Sequence, residues 1–427
     1  MESKKHILAG AGERMQYIAH KYNDTTIRFI LYYPGSLNAE ILSKATKAVI
    51  DSVDVLHASF IPKNRTSHWK INSTYNEEDY FAITECEGNP VKPAQGFSLR
   101  GIDFKDKCQM QVMLVQSEKS CAVVVRISHL VVDGSDGKYL LNKLAESYRL
   151  IEKNGTTEGL ELKNGSRSAT NAYNDLGVKE LASLAKNPFA EVKTEYPFAD
   201  AKAHGPLRML HCTIPTEVLG DARRKAKAVD ATVNDLLLTA CYRAYARAIG
   251  KEGTMSISGM MDLRSHCKDG ISSGLSNMSG GLGTSLDMRF TNSFQDDLLK
   301  ISVQTKEAKN NPLAGLYGMP YLHAATKTFP MWLLLQAADM VYSSLSLSMT
   351  NLGNIALEPL TMNGIKPTEG IFGGPLKKKP SVQVGVASFD GTAELTILGD
   401  FVTEDMESLQ KFLDGIRAEV ESYLEEE

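Results

Sequence analysis

Residues 121–134 read CAVVVRISHLVVDG, and this stretch decides how the rest of the chain is interpreted. Residues 121–127 are almost continuously apolar and rich in β-branched side chains, which is typical of a buried strand. His129, Asp133 and Gly134 follow in the pattern HxxxDG. Because the unperturbed pKa of histidine is roughly 6.5, an imidazole takes up and returns a proton near neutral pH. His129 is therefore the predicted catalytic base.

A helix is predicted directly after this strand. Apolar residues recur at helical spacing over residues 138–153, with Ser135 or Asp136 available as the N-cap. His129 would then lie on a strand-to-helix turn, where packing fixes the flanking elements and the turn opens towards a cavity. Because glycine has no side chain, Gly134 takes little space in this turn.

Asp133 has two interpretations at this turn. It either orients the imidazole of His129 or turns inward to pair with an arginine. We favour the inward pairing, because a buried carboxylate is fixed by a partner and is costly without one. The strand 255–260 leads into Arg264, the predicted partner, which would hold the two halves of the chain in register. The alternative is that Arg264 pairs at the surface with Asp262 or Asp269.

These motifs resemble those of the superfamily that contains chloramphenicol acetyltransferase, the condensation domains of peptide synthetases, plant BAHD acyltransferases and alcohol acyltransferases. The HxxxDG turn resembles its active-site motif. Residues 12–18 (GERMQYI) are similar to the opening motif of condensation-type enzymes, residues 261–264 (MDLR) to their arginine-bearing strand end, and residues 350–353 (TNLG) to their second active-site loop. The resemblance spans nearly the whole chain and is strongest to stand-alone condensation-type or alcohol acyltransferases.

The resemblance implies an α+β fold of two chloramphenicol-acetyltransferase-like α/β sandwich lobes, with the active-site channel between them. It implies acyl transfer from a thioester, with His129 as general base and Asp133 salt-bridged to a distant arginine. The donor would be acyl-CoA or an acyl-phosphopantetheine on a carrier protein, and the acceptor a small-molecule alcohol or amine. No metal or bound cofactor is needed, and a monomer is expected because one chain contains both halves.

A strand ending near residue 349 brings hydroxyl and amide groups to the second loop. Ser348, Thr350 and Asn351 are the predicted source of oxyanion donors. The glycine-rich residues 274–283 lack the Lys-Ser/Thr of a phosphate-binding loop, and we interpret them as a backbone crossing or a wall of the channel. Arg14 either faces the motif turn or is an ordinary solvated helix residue.

Two departures from the superfamily leave alternatives open. Ser128 stands where many condensation domains have another histidine, and the DFGWG motif of plant BAHD enzymes is absent, so a plant-type specificity is not expected. One alternative function is a stand-alone condensation enzyme that forms an amide between carrier-bound substrates. The other is a non-catalytic protein that binds a thioester or a carrier protein, for which Ser128 is the best argument.

The length of 427 residues predicts two domains. We expect an N-terminal lobe over residues 1–175, a linker over 176–205 and a C-terminal lobe over 206–427, because residues 154–203 are polar and lack apolar periodicity. The hydrophobic fraction of 43% is sufficient to build two cores. A net charge of -4 without a basic cluster argues against a nucleic-acid partner.

The cysteine pattern and the hydropathy indicate the environment of the protein. Its six cysteines lie far apart without a CxxC pair, which predicts reduced thiols. No apolar run approaches the roughly 18 residues that a membrane span needs. With no secretory signal at the N-terminus, a cytoplasmic protein is expected. The apolar residues 331–340 predict a well-buried helix.

Overall fold

The computed structural model describes residues 6–187, 192, 202–267, 274–342 and 347–426. Within these ranges the chain forms two lobes, each with helices packed on a β-sheet, so the predicted α+β class is confirmed. The elements of the first half are β1 (His6–Leu8), α1 (Ala11–Ala19), β2 (Thr26–Tyr33), α2 (Ala39–Asp51), β3 (Ala58–Ile61), β4 (His68–Ile71), β5 (Phe81–Glu85), α3 (Val91–Ser98), β6 (Met110–Gln116), β7 (Cys121–Ser128) and α4 (Gly134–Asn154).

The second half begins after a short connecting helix, α5 (Val178–Ser183). Its remaining elements are β8 (Leu207–Ile214), α6 (Thr216–Ala228), α7 (Val233–Ile249), β9 (Gly253–Asp262), β10 (Ser279–Met288), α8 (Phe294–Asn310), α9 (Met319–Thr328), α10 (Met331–Tyr342), β11 (Leu347–Ile355), β12 (Glu369–Gly373), β13 (Val382–Phe389), β14 (Thr392–Asp400) and α11 (Thr403–Glu425).

The first lobe is organised around β7. Its sheet has the order β12–β2–β7–β6–β5, and a small sheet β1–β4–β3 lies beside it. Every residue of β7 is buried. Val123, Val125 and Ile127 pack into the core shared with α2 and α4, whereas Ala122 and Val124 face α3. A strand covered on both faces is continuously apolar, as the sequence predicts, and β7 pairs with β6 as an antiparallel hairpin.

The second lobe is a six-stranded sheet in the order β10–β9–β11–β13–β14–β8. Helices α6, α7, α8 and α11 pack with this sheet in a single core. Helix α7 begins with a capping box, in which Asp235 N donates to Thr232 Oγ1 and Thr232 N donates to Asp235 Oδ2. Gly250, in the left-handed conformation, ends it.

Strand β12 links the two lobes. The chain leaves the second sheet after β11, adds β12 to the first sheet by antiparallel pairing with β2, and returns as β13. Residues 206–427 therefore contribute to both sheets. The boundaries at residues 175 and 205 stay predictions.

The polar stretch that contains the predicted linker has some regular structure, and the linker itself stays a prediction. The polar stretch 154–203 includes α5 and a short 3-10 helix over Ala169–Ala172, and Leu184 after them is fully buried. Residues 188–191 and 193–201 of the predicted linker, and residues 268–273 with Asp269, lie outside the described residues. The expectation of a well-buried α10 is wrong. Among the side chains of α10 that the structure describes, only Met331 and Ala338 are buried, and Trp332 is 55% exposed.

Three further observations concern the composition. All six cysteines carry free thiols. Across the described ranges, we find no helix that combines the length and the apolar character needed to cross a bilayer. In the same part of the chain, no three His, Cys, Asp or Glu side chains are grouped so that they could hold a metal ion.

The packing of β12 generates a test of how closely the lobes approach each other. A Cβ atom on buried Gly370 of β12 would overlap the ring of Phe389 in β13, so Gly370→Ala should lower the free energy of unfolding by about 1–3 kcal/mol. The control is Gly281→Ala in β10, where a Cβ meets nothing within 4 Å. Chemical denaturation measures both, and equal midpoints would contradict the expected overlap.

Candidate active site

His129 begins the turn that follows β7. Its backbone N–H donates to the carbonyl oxygen of Thr25 at 2.7 Å, and the N–H of Val131 donates to Ser128 O at 3.0 Å. Thr25 is itself in the left-handed region, with φ of 46°, directly before β2. The backbone of His129 is therefore fixed by the neighbouring strand and by its own turn.

The imidazole of His129 is oriented by a backbone carbonyl. Its Nδ1 lies 2.8 Å from Val132 O, which only accepts hydrogen bonds, so in the neutral ring Nδ1 carries the proton. Asn277 Nδ2 lies 2.9 Å from the same nitrogen and donates instead to His129 O at 3.3 Å. No described residue forms a hydrogen bond with Nε2, and this nitrogen keeps its lone pair.

The pKa of His129 is lowered from its ordinary value. Burial is the largest cause, because it disfavours the charged imidazolium, while the carboxylate of Asp133 and the carbonyl of Val132 act in the opposite direction. The positive charge of Lys377 lowers the pKa further. The ring is therefore neutral at pH 7, which is the protonation state of a general base.

A cavity of about 250 Å³ lies at this turn, between the two lobes. The first lobe contributes His129 and Gly134, and the second contributes strands β9, β11 and β13. The lining also includes the apolar side chains of Ile27, Met260, Leu347, Met349, Leu352, Phe372, Pro375 and Val382. A Cβ atom on Gly134 would overlap Leu352 of β11, so the lobes approach closely where the motif glycine stands.

Asp133 turns away from His129 and pairs with Arg264. The two side chains are nearly fully buried, with Arg264 Nη1 2.7 Å from Asp133 Oδ2. Arg264 also pairs with Asp136 at 2.8 Å and with Asp262 at 3.0 Å. Burial alone would lower the pKa of Arg264, but these carboxylates outweigh it and raise the pKa. Arg264 therefore pairs with Asp133 in the interior, as the favoured prediction has it, and its contact with Asp262 belongs to the same cluster rather than to a surface pair.

The segment before β10 completes this cluster. Met278 N donates to Asp133 Oδ2 and Ser276 N donates to Asp136 Oδ2, each at 2.8 Å. Asp133 Oδ1 also accepts from Asp136 N at 3.0 Å, so Asp133, and neither Ser135 nor Asp136, is the N-cap of α4. Asp133 is therefore a cap, an ion-pair partner and an acceptor for the second lobe.

Sequence reasoning missed several residues that support the turn. Arg167, in the polar stretch, donates to Val131 O and Leu275 O and pairs with Glu13 at 2.9 Å. Asn277, which flanks the imidazole, was also missed. It belongs to the glycine-rich residues 274–283, which the sequence predicts to be a backbone crossing or a wall of the channel. Arg14 fits neither expectation, because it is buried and donates to Arg65 O at 2.7 Å.

The predicted oxyanion donors are in different positions. Ser348 and Thr350 line the cavity with His129, on strand β11 rather than on a loop, because β11 continues through a bulge to Ile355. Asn351 does not line it. The Nδ2 of Asn351 donates to Asn234 Oδ1 at 3.2 Å and its Oδ1 accepts from Gly353 N at 2.9 Å, so the prediction for Asn351 is corrected.

Comparison with known proteins agrees with this architecture. Residues 8–174, which contain the HxxxDG turn, match the family model of the condensation domain. No curated protein sequence matches the chain. Over these residues, the match confirms the resemblance that the motifs indicated.

Solved structures share the fold over almost the whole chain. Polyketide synthase associated protein 5 from Mycobacterium tuberculosis has a TM-score of 0.69 at 13% identity, covering 97% of this chain and 98% of that one. Trichothecene 15-O-acetyltransferase from Fusarium sporotrichioides has 0.70 at 10%, covering 97% and 95%. The epimerization domain of the third module of tyrocidine synthetase B has 0.70 at 14%, covering 100% and 98%. The predicted two-lobe fold is confirmed.

The Arg264 cluster makes a strong prediction about stability. Arg264→Met leaves the carboxylates of Asp133 and Asp136 buried without their cation, which should lower the free energy of unfolding by about 3–5 kcal/mol. Adding Asp133→Asn and Asp136→Asn should recover part of this loss. Denaturant titration gives the values.

The matched control is Arg289→Met, which removes an exposed pair with Asp287 and should change stability by only about 0–1 kcal/mol. Equal destabilisation by Arg264→Met and Arg289→Met would show that the cluster does not hold the lobes together.

Proposed function

We propose that the protein is an acyltransferase that moves an acyl group from a thioester to a hydroxyl or amine acceptor, with His129 as general base. One observation carries the proposal. The neutral imidazole of His129 donates a hydrogen bond from Nδ1 to Val132 O, and the same residue lines a cavity between two lobes of a condensation-type fold. Nε2 is then the nitrogen available to a substrate.

The reaction begins when the acceptor O–H or N–H approaches Nε2. The acceptor atom forms a bond to the thioester carbonyl carbon while its proton passes to Nε2, and a tetrahedral oxyanion results. The C–S bond then breaks, and the leaving thiolate takes the proton back from the imidazolium. The products are the ester or amide and the free thiol, and the ring is again neutral.

Ser348 and Thr350 are the proposed donors to the oxyanion. Both line the cavity from β11, across from the HxxxDG turn. One oxyanion donor typically contributes about 10²–10³ in rate and a general base about 10²–10⁴, so positioning of the two substrates supplies much of the remainder. The proposed donor is acyl-CoA or an acyl-phosphopantetheine on a carrier protein, acting with a monomeric enzyme.

A second candidate is amide formation between carrier-bound substrates. The match of residues 8–174 to the condensation domain favours it. The two candidates are separated by measuring the rate of thiol release with hydroxyl and amine acceptors, each supplied free or bound to a carrier protein. Thiol release only with a carrier-bound amine favours condensation.

The non-catalytic alternative rests on Ser128. This residue is 1% exposed at the end of β7 and does not line the cavity. Ser128 therefore lies outside the proposed reaction site, and having serine instead of histidine here does not argue against catalysis. The neutral imidazole at the cavity favours catalysis.

Replacing the base is the direct test. His129→Ala should lower kcat for thiol release by about 10²–10⁴ while leaving the unfolding midpoint nearly unchanged, because the ring makes few structural contacts. The measurement is thiol release with a panel of acyl-CoA donors and alcohol or amine acceptors. His204→Ala, an exposed histidine paired with Asp400, is the control. Full activity in His129→Ala would remove the base assignment.

The pH dependence follows from the lowered pKa of His129. Protonated imidazole cannot accept the acceptor proton, so kcat/KM should fall at low pH with a midpoint below 6.5. Above that midpoint the ring is neutral and the rate should reach a plateau. A midpoint above 6.5 in the free enzyme would contradict the environment described for His129.

A further inference from the structure

Lys377 stands at the cavity on a rigid piece of backbone. It follows β12, and the residues around it are tied to the segment before β2. Leu376 N donates to Asp24 Oδ1 at 2.9 Å, and Lys378 N donates to Tyr22 O at 2.9 Å. The position of Lys377 relative to the first lobe is therefore fixed without help from its own side chain.

The ammonium of Lys377 makes no hydrogen bond and no ion pair with any residue that the structure describes. The carboxylate of Asp24 raises the pKa of Lys377, but this carboxylate is already bound by Arg28 and by Leu376 N. The neighbouring lysines differ, since Lys378 Nζ donates to Lys21 O and Lys379 pairs with Asp405. Of these three consecutive lysines, only Lys377 lines the cavity.

A buried ammonium group without an anionic partner raises the free energy of the empty cavity. Burial lowers the pKa of Lys377 to about 8, against the opposing effect of Asp24. The side chain is still mostly charged at pH 7. Withdrawing a cation from water without a partner is costly, and an anion that enters the cavity removes this cost.

We propose that Lys377 is a specificity-determining residue that binds a carboxylate of the acceptor beside His129. The rest of the lining is apolar or carries neutral hydroxyl and amide groups, among them Ser279, Thr350 and Gln383. One lysine with neutral donors suits a monoanion, whereas a phosphate dianion is usually met by several cations or a free helix N-terminus. The acceptor class is therefore a carboxylic acid with an apolar chain.

This inference rests on the proposed function only for its assignment to the acceptor, so it is tested first by binding. The probes are 3-hydroxyoctanoate and its neutral isostere 3-hydroxyoctanamide, titrated by calorimetry. Because a charge-assisted hydrogen bond is lost with the amide, the carboxylate should bind about 10- to 100-fold more tightly. His129→Ala should keep this preference even if it has no activity.

The variants locate the preference at one side chain. Lys377→Met should abolish it, Lys377→Arg should retain it, and Lys378→Met, which removes the adjacent exposed lysine, should leave it unchanged. Carboxylate and amide binding equally to the unmodified protein, or a preference that survives Lys377→Met, would overturn the inference.

Turnover separates specificity from catalysis. Once a thioester donor is found, Lys377→Met should raise KM for the hydroxy acid by about 10- to 100-fold and leave kcat for the hydroxy amide within about threefold. If kcat for the neutral amide falls as strongly, Lys377 stabilises the oxyanion and the inference is overturned. Binding without any turnover keeps the inference and counts against the proposed transferase.

Discussion

The buried ion-pair cluster of Arg264 with Asp133 and Asp136 is the constraint on which the rest of the structure depends. Arg264 follows β9 in the second lobe, and the two carboxylates begin α4 in the first. Such a cluster is weak as a source of net stability, because desolvation offsets much of the attraction. Its effect is geometric. Each charge is satisfied only when the lobes meet in one register, and that register sets the cavity between His129 and β11.

The cluster also explains why Asp133 does not act on His129 as an orienting carboxylate. Its two oxygens are occupied by Arg264, Met278 N and Asp136 N. The imidazole is oriented by Val132 O and flanked by Asn277 instead. Thr25, a β-branched residue held at positive φ, receives the backbone N–H of His129. Strain of this kind persists where the surroundings over-determine the backbone, and a fixed backbone suits the base role proposed for His129.

Sequence reasoning succeeded where the signal is local. The apolar run of β7 and the turn with His129 are encoded by consecutive residues. The pairing of Arg264 with Asp133 needed a resemblance as well, because 131 positions separate the two. Strand β12, Arg167 and Lys377 carry no local pattern, since their places depend on contacts from distant parts of the chain. The apolar composition of α10 does not predict its burial, because composition does not say which faces another element covers.

The charges around the imidazole bear on which substrates the cavity would favour. Asp133 raises the pKa of His129, but its carboxylate is paired with Arg264 and does not line the cavity. Asp24 is likewise bound by Arg28. Lys377 is the cavity-lining cation left without such a partner among the described residues. In a small apolar cavity, where fields are weakly screened, one unbalanced charge dominates. Lys377 also lowers the pKa of His129, although less than burial does. In the role proposed for Lys377, a carboxylate bound beside it would offset part of that effect.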